Sequence, residues 1–448
     1  MTRLDHGRAP RCARKLAVFA ASACAAIAVA PAVASATTVW VSSTGTVKPP
    51  FNSCASPGYN AIQEAINVNA PATTIHVCKG TYKEQLTISK PIAIAGEAGE
   101  SILELPASPA NSVGACDVQE PGSEEQDQVT ICMKGTVKIS GLTINSKWTA
   151  LDCAKQFYGV LVGGGAALTM TSSSILHAGA EPINGCQQGV GLQIGHNKNK
   201  QVGIATLSGD TITGYQKNGM TIDGPGSTAT INKQTKVTSA ITNQIAQNGI
   251  QVSRGATAKI SETTIEGNEC AVASCGANST GFSPWQEEED ATGILFYLSG
   301  KGSSVTKNTV NGNDIGVYHL AQEETTSPQT TLTANKLSGN RYWGIALDQG
   351  LAALNRNTIS GPGNVGIQIV QYDEEHNGLA KQEFGARGTG SSDSVTGMSV
   401  CGVEGLSDNG VNDQFAQLIL TKSLSKFSGN AQNTCSNNTT KKMVISVK

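Results

Sequence analysis

Asn335-Lys-Leu-Ser-Gly-Asn-Arg-Tyr-Trp-Gly-Ile-Ala-Leu347 is followed closely by Asn357-Thr-Ile-Ser-Gly-Pro-Gly-Asn-Val-Gly-Ile-Gln-Ile369. Both stretches have the same grammar. An amide comes first, with an aliphatic residue two places on. A Gly/Asn turn follows, and then Gly, aliphatic, any residue, aliphatic. Working outward, the first half recurs as Ser173-Ser-Ile175, Asp210-Thr-Ile212, Thr263-Thr-Ile265 and Asn308-Thr-Val310. The second half recurs as Gly159-Val-Leu-Val162, Gly191-Leu-Gln-Ile194, Gly219-Met-Thr-Ile222, Gly249-Ile-Gln-Val252 and Gly293-Ile-Leu-Phe296. Gly316-Val-Tyr-His319 fits except that His319 takes the second aliphatic place.

The glycines of this column are separated by 32, 28, 30, 44, 23, 28 and 22 residues. The shortest separations match one coil of a parallel β-helix, and the longer ones match coils with enlarged turns. Short strands of period 2 bounded by Gly and Asn fit that reading. A single coil cannot bury its flat faces, so neighbours must stack. Asn308, Asn335 and Asn357, with Thr263 and Asp210 before them, are expected to form a polar ladder at a bend, each amide bonding to the next coil. The fold class expected is all-β, a right-handed parallel β-helix with a short N-terminal capping helix. Asn60-Ala-Ile-Gln-Glu-Ala-Ile66 supplies that helix, with Asn60 as candidate N-cap and apolar residues at 61, 62, 65 and 66.

Composition agrees. Charged residues make up 15% of the 448-residue chain and glycines number 50, against a usual ~25% charged and ~7% glycine. A coiled coil or helical bundle would be rich in Glu, Lys, Arg and Leu, and a disordered chain would lack the β-branched residues that abound here. No Lys/Arg stripe is present, so a nucleic-acid partner is not expected.

Residues 1–36 read as a secretory signal peptide: Arg3, Arg8, Arg11, Arg14 and Lys15, then an Ala-rich apolar run, then Ala34-Ser-Ala36. Residues 37–379 are expected to be the β-helix with its cap. Residues 380–448 are expected to be a C-terminal cap and strand region, with strands at 418–420 and 443–445. No later stretch approaches ~20 apolar residues, so no membrane span is expected in a mature, secreted and monomeric chain. Its ten cysteines fit disulfides. Sequential pairing is the simplest scheme: 54–78, 116–132, 153–186, 270–275 and 401–435. No Cys-x2-Cys or His-x3-His spacing points to zinc.

The segment Tyr59-Asn-Ala-Ile-Gln-Glu-Ala-Ile66, with Ile75-His-Val-Cys-Lys-Gly-Thr-Tyr-Lys-Glu84 and Leu86-Thr-Ile-Ser-Lys-Pro-Ile92, resembles the opening of pectin-lyase-like right-handed β-helix proteins over about 40 residues. Residues 135–372 look like the generic repeat of that superfamily. The resemblance implies the fold. It carries over no catalytic residues, because the methylesterase, pectate lyase and polygalacturonase blocks are all missing, and function resides in sites grafted on a fold.

Counting from the column glycine, positions +2 and +4 point outward if +1 and +3 are core. The +4 position and the residue after it bring His196, Asp223, Arg254 and Tyr297 onto successive coils, spaced by about 4.8 Å. These are the candidate catalytic residues. Arg254 would hold or neutralise a uronate carboxylate, Asp223 would act as acid/base or calcium ligand, and Tyr297 would stack or donate a proton. The plain alternative is an exposed ion pair worth at most ~1 kcal/mol, with His196 a turn residue. Enlarged turns carry Glu287–Asp290, Glu323-Glu324 and Asp373–Glu375 beside aromatics. Candidate substrate-binding residues there and on the strands are Trp285, Tyr318, Trp343, Asp348, Glu323 and Asp373. Paired carboxylates suit glycoside hydrolysis, and clustered oxygens would alternatively suit Ca²⁺, although no EF-hand pattern is present. Two function classes follow: a secreted lyase or glycosidase acting on polysaccharide, and a non-catalytic adhesion or surface-binding module.

Overall fold

The computed structural model describes residues 37–447 except 113, 115, 117–123, 150–151, 240–244, 271–290, 321–329, 349, 372–385, 392, 408–416, 422–426 and 437–443. Among the described residues, three parallel sheets of 14, 12 and 12 strands run side by side, and one short helix precedes them in the stack. Every coil visits the sheets in the same order. The coil at Gln156–Gly163, Ala166–Thr171 and Ser174–Ala180 is representative: glycine-column strand, second strand, then the aliphatic strand that follows the ladder residue. No described helix is long and apolar enough to cross a membrane.

The glycine column is explained by close approach. A Cβ on Gly249 would lie 2.6 Å from the Gly293 carbonyl oxygen, and one on Gly293 would lie 2.7 Å from that of Gly316. The contact repeats from Gly159 through Gly366, which faces Gly402 in the same way. Gly402 is therefore a further rung of the column. Aliphatic side chains from the third sheet press on the same spot, as Ile265 does on Gly249 at 2.7 Å. Inward positions +1 and +3 form one continuous core, including Met220, Ile222, Ile250, Val252, Ile294 and Phe296, all fully buried. Each such side chain contributes about 1.5–3 kcal/mol of burial. His319 takes an inward place too and is buried against Phe296.

The expected ladder forms. Asn308 N–H and Nδ2 both donate to Asn335 Oδ1 at 3.0 Å, and Asn335 repeats the pattern onto Asn357 at 3.1 and 2.9 Å. Thr263 N–H donates to Asn308 Oδ1, and Ser173 N–H donates to Asp210 Oδ1. Asp393 is the last rung among the described residues, accepting from Asn357. A second ladder was not anticipated. Asn268, Asn313 and Asn340 stack at the other bend, and Tyr215 donates its hydroxyl to Asn268 at 2.6 Å. These three asparagines follow the turn glycines 267, 312 and 339.

The helix spans Ile62–Val68 and buries Ile62, Ala65 and Ile66. Asn60 is not its cap. Asn60 Nδ2 donates to the Ser42 and Gly45 carbonyls. The N-terminal N–H groups of Ile62 and Gln63 are instead bonded by the Glu84 carboxylate at 2.9 Å each. A carboxylate at this end also suits the helix dipole. The strands expected near 418–420 and 443–445 form as Gln417–Thr421 and Val444–Val447, and pair parallel in the 14-stranded sheet. Disulfides join 54–78, 116–132, 153–186 and 401–435. Cys270 is disulfide-bonded too, and Cys275 lies outside the described residues.

Candidate functional site

The outer face of the glycine-column sheet carries polar side chains on three successive coils, at Asp223, Ser253 and Tyr297. Positions 223, 253, 297, 320 and 348 stand in one row, paired in register from strand to strand. Asp223 ends its strand, and Arg254 follows the next one in a left-handed turn (φ 50°). Arg254 Nε donates to Asp223 Oδ1 at 2.8 Å. The carboxylate also accepts from Ser253 Oγ at 3.0 Å and, on Oδ2, from Asn197 N–H at 2.8 Å. Asp223 is 1% exposed and the Arg254 side chain 43%. The pair therefore differs from the exposed ion pair of the plain alternative, because its acid is fully desolvated and held by three donors.

The network continues along the sheet. Gln251 Nε2 donates to Ser253 Oγ at 3.3 Å, and Asn218 Nδ2 donates to Gln251 Oε1 and Thr221 Oγ1 at 2.9 Å. Asn248 Nδ2 donates to Asn218 Oδ1 at 3.0 Å. These four residues were missed by sequence reasoning. The signal was there: asparagine stands directly before the column glycine in two consecutive coils, at 218 and 248. Most members are buried, so the outward-facing groups are the half-buried Gln251 and Tyr297 and the exposed Arg254.

Electrostatics follow from this burial. Burial alone would lower the Arg254 pKa, but the bond to Asp223 and its charge outweigh that and hold the guanidinium above its ordinary value. Burial lowers the His196 pKa, and the nearby Arg254 and Lys198 charges add to this against Asp223. Burial thus disfavours the imidazolium form of His196. Its Nδ1 is buried and has no hydrogen-bond partner among the described residues, while its backbone pairs with Gln201. Tyr158, fully buried beside the Cys116–Cys132 bridge, is pushed well above 10 by burial and by the Glu125, Asp127 and Asp223 charges.

The remaining candidates do not join this cluster. Tyr318 is half-buried, in register with Leu295 and Ala346. It lies three rungs from Asp223, or about 14 Å along the stack. Trp343, also half-buried, and Asp348 are on the rung after it, about 19 Å away. Trp285, Glu323 and Asp373, with the three acidic turns, lie outside the described residues. A separate ion pair joins the buried Asp314 to the half-buried Arg341, 2.6 Å apart, with the guanidinium 4.8 Å from the Tyr342 ring centroid. Asp314 also accepts from the Cys270 and Ala291 N–H groups.

Residues 190–380 match the family model for a right handed beta helix region. The sequence matches none of the curated proteins. Among solved structures, the chain is similar to a mutant of the periplasmic alginate epimerase AlgG (12% identity, 85% of this chain and 84% of that one, TM-score 0.48). It is also similar to XylC in complex with xylose (11%, 90% and 86%, TM-score 0.48). A third is the Azotobacter vinelandii mannuronan C-5 epimerase AlgE4 A-module (10%, 84% and 94%, TM-score 0.44). The stacked parallel sheets agree with the family model matched over residues 190–380, and the chain has the right-handed parallel β-helix fold.

Proposed function

We propose that this protein is exported and engages an acidic polysaccharide on the outer face of the glycine-column sheet, with Arg254 as the receptor for a uronate carboxylate. One observation carries the reading: a half-exposed guanidinium is pinned through Nε by a buried carboxylate. Pinning Nε leaves the outer nitrogens of the fork to the ligand, and a guanidinium fork suits a carboxylate in bidentate geometry. Holding the fork in advance removes part of the entropy cost of binding. Gln251 and Tyr297 flank it, supplying an amide for sugar hydroxyls and a ring for a pyranose face. Asp223 has its oxygens occupied by three donors. In this reading it is a positioning residue.

Occupied Asp223 oxygens favour binding without catalysis. A lytic reading would use His196 as the base for the proton beside a uronate carboxylate; its Nδ1 has no hydrogen-bond partner among the described residues but is buried, so that reading requires the ring to turn outward. Calorimetric titration with oligouronates and with neutral oligosaccharides tests binding, and absorbance of unsaturated uronate products tests lysis. Uronate binding without product supports the module reading. Product formation that is lost in His196→Ala supports the lyase. No uronate binding, or equal binding of neutral glycans, overturns the proposal.

A further inference from the structure

At the N-terminal end of the stack, far along the chain from Asp223, four ligand-type side chains converge. They are Cys54, His76, Cys78 and Glu97, and one ligand atom from each lies within 4.8 Å of all the others. Three different segments bring them together. His76 is on the strand Thr74–Val77, and Cys78 follows two places on, on the same face. Glu97 follows the next strand of the sheet, Ala93–Gly96, whose Gly96 pairs with Val77, so Glu97 is the neighbour of Cys78 one coil away. Cys54 comes from the loop that precedes the helix. His76 is braced by Trp40, their rings 4.1 Å apart, and its Nε2 lies 3.7 Å from Glu97 Oε1. Cys54 Sγ lies 3.6 Å from the same oxygen. Glu97 is itself anchored, since its N–H donates to Ser101 Oγ at 2.8 Å. No spacing in the sequence reveals this set, because its members come from separate coils and a loop.

In the structure Cys54 and Cys78 are joined as a disulfide. Two thiolates, an imidazole and a carboxylate make a full tetrahedral zinc donor set. With Zn–S of about 2.3 Å and Zn–N/O of about 2.0–2.2 Å, the ligand atoms of such a site stand roughly 3.3–3.8 Å apart. The His76–Glu97 and Cys54–Glu97 separations already fall in that range. The two bonded sulfurs must part, and the remaining separations all lie within 4.8 Å. We propose that Cys54, His76, Cys78 and Glu97 form a thiol-gated zinc site, closed while the disulfide holds the two sulfurs and opened by its reduction. The step balances with a dithiol reductant. Two electrons and two protons pass to the protein disulfide, giving two thiols, and the dithiol becomes a cyclic disulfide. Zinc then displaces the two thiol protons to solvent.

Cobalt is the probe, because tetrahedral thiolate coordination gives it a visible spectrum that zinc then bleaches. The oxidised full chain is expected to give no such spectrum, and the dithiol-treated chain to take up one equivalent. Full reduction also opens the other bridges, so a second variant isolates the site. Cys54→His cannot form the bridge, keeps four ligands and leaves the other disulfides intact. It is expected to bind cobalt without reductant, and Glu97→Gln or His76→Ala in that background is expected to lose the spectrum. A Cys54→His protein that keeps its β circular dichroism but shows no cobalt spectrum overturns the proposal. A spectrum that survives both further substitutions, or one equally strong in the oxidised chain, overturns it as well.

Discussion

Arg254 donates from Nε to Asp223 Oδ1 at 2.8 Å across two consecutive coils, and the acceptor is buried while the donor reaches solvent. Removing the guanidinium leaves a desolvated carboxylate with two donors instead of three. Arg254→Ala is expected to cost about 1.5–3 kcal/mol, the range for a hydrogen bond to a charged group, read as a shift in the urea midpoint. Arg254→Lys keeps the charge but not the fork, and is expected to recover part of that loss and little of the uronate affinity.

The glycine column makes a sharp steric prediction. In Gly293→Ala the new methyl group would lie 2.7 Å from a backbone carbonyl and 2.9 Å from Val310. Overpacking of this kind costs about 1–3 kcal/mol. Gly185 has nothing within 4 Å of its missing Cβ, so Gly185→Ala is expected to stay within about 0.5 kcal/mol of the parent. Thermal unfolding of the two variants side by side checks both.

The ladder can be cut at one rung. Asn335 Oδ1 accepts from the Asn308 N–H and Nδ2, and Asn335 Nδ2 donates to the Val305 carbonyl at 2.9 Å. Asn335→Ala leaves these buried groups unsatisfied, and a loss of roughly 2–4 kcal/mol is expected. Asn335→Asp keeps the acceptor but sets a second buried oxygen against the Val305 carbonyl and Asn357 Oδ1, so a loss at least as large is expected at neutral pH in the same denaturation series.

Asp393 is the last rung of that ladder among the described residues. Burial pushes its pKa up to about 6, and its Oδ2 is buried with no hydrogen-bond partner among the described residues. A carboxyl whose pKa is raised in the folded state gives stability that is present below the unfolded value and lost as pH rises through the folded one. The parent is therefore expected to lose stability between about pH 4 and pH 6 through this group. Glu404, pushed to about 7 mainly by burial, extends the loss upward. Asp393→Asn keeps an acceptor for Asn357 and removes the charge, so its unfolding midpoint is expected to be flatter across that window. A variant with the parent's pH slope would assign the effect elsewhere.

The fold was readable because close packing repeats. A Cβ is excluded at every column glycine, and an amide is needed at each ladder rung, so both constraints write themselves into the sequence at matching places. The Asp223–Arg254 neighbourhood was readable for the same reason, since register follows from the repeat. Its burial was not, because Asn197 reaches Asp223 from a turn outside the repeat. The helix cap was misread on similar grounds: Glu84 arrives from 22 residues away, where no local pattern points to it. Cys54 and Glu97 meet His76 through loop closure and stacking, which spacing alone does not encode.

The most direct test of the account is calorimetric titration of an oligouronate into the parent and into Arg254→Gln, with Asp223→Asn as the positioning control. The account predicts binding by the parent, loss of at least about tenfold in affinity in Arg254→Gln, equivalent to roughly 1.4 kcal/mol, and a smaller loss in Asp223→Asn. Unchanged affinity in a folded Arg254→Gln protein would contradict it.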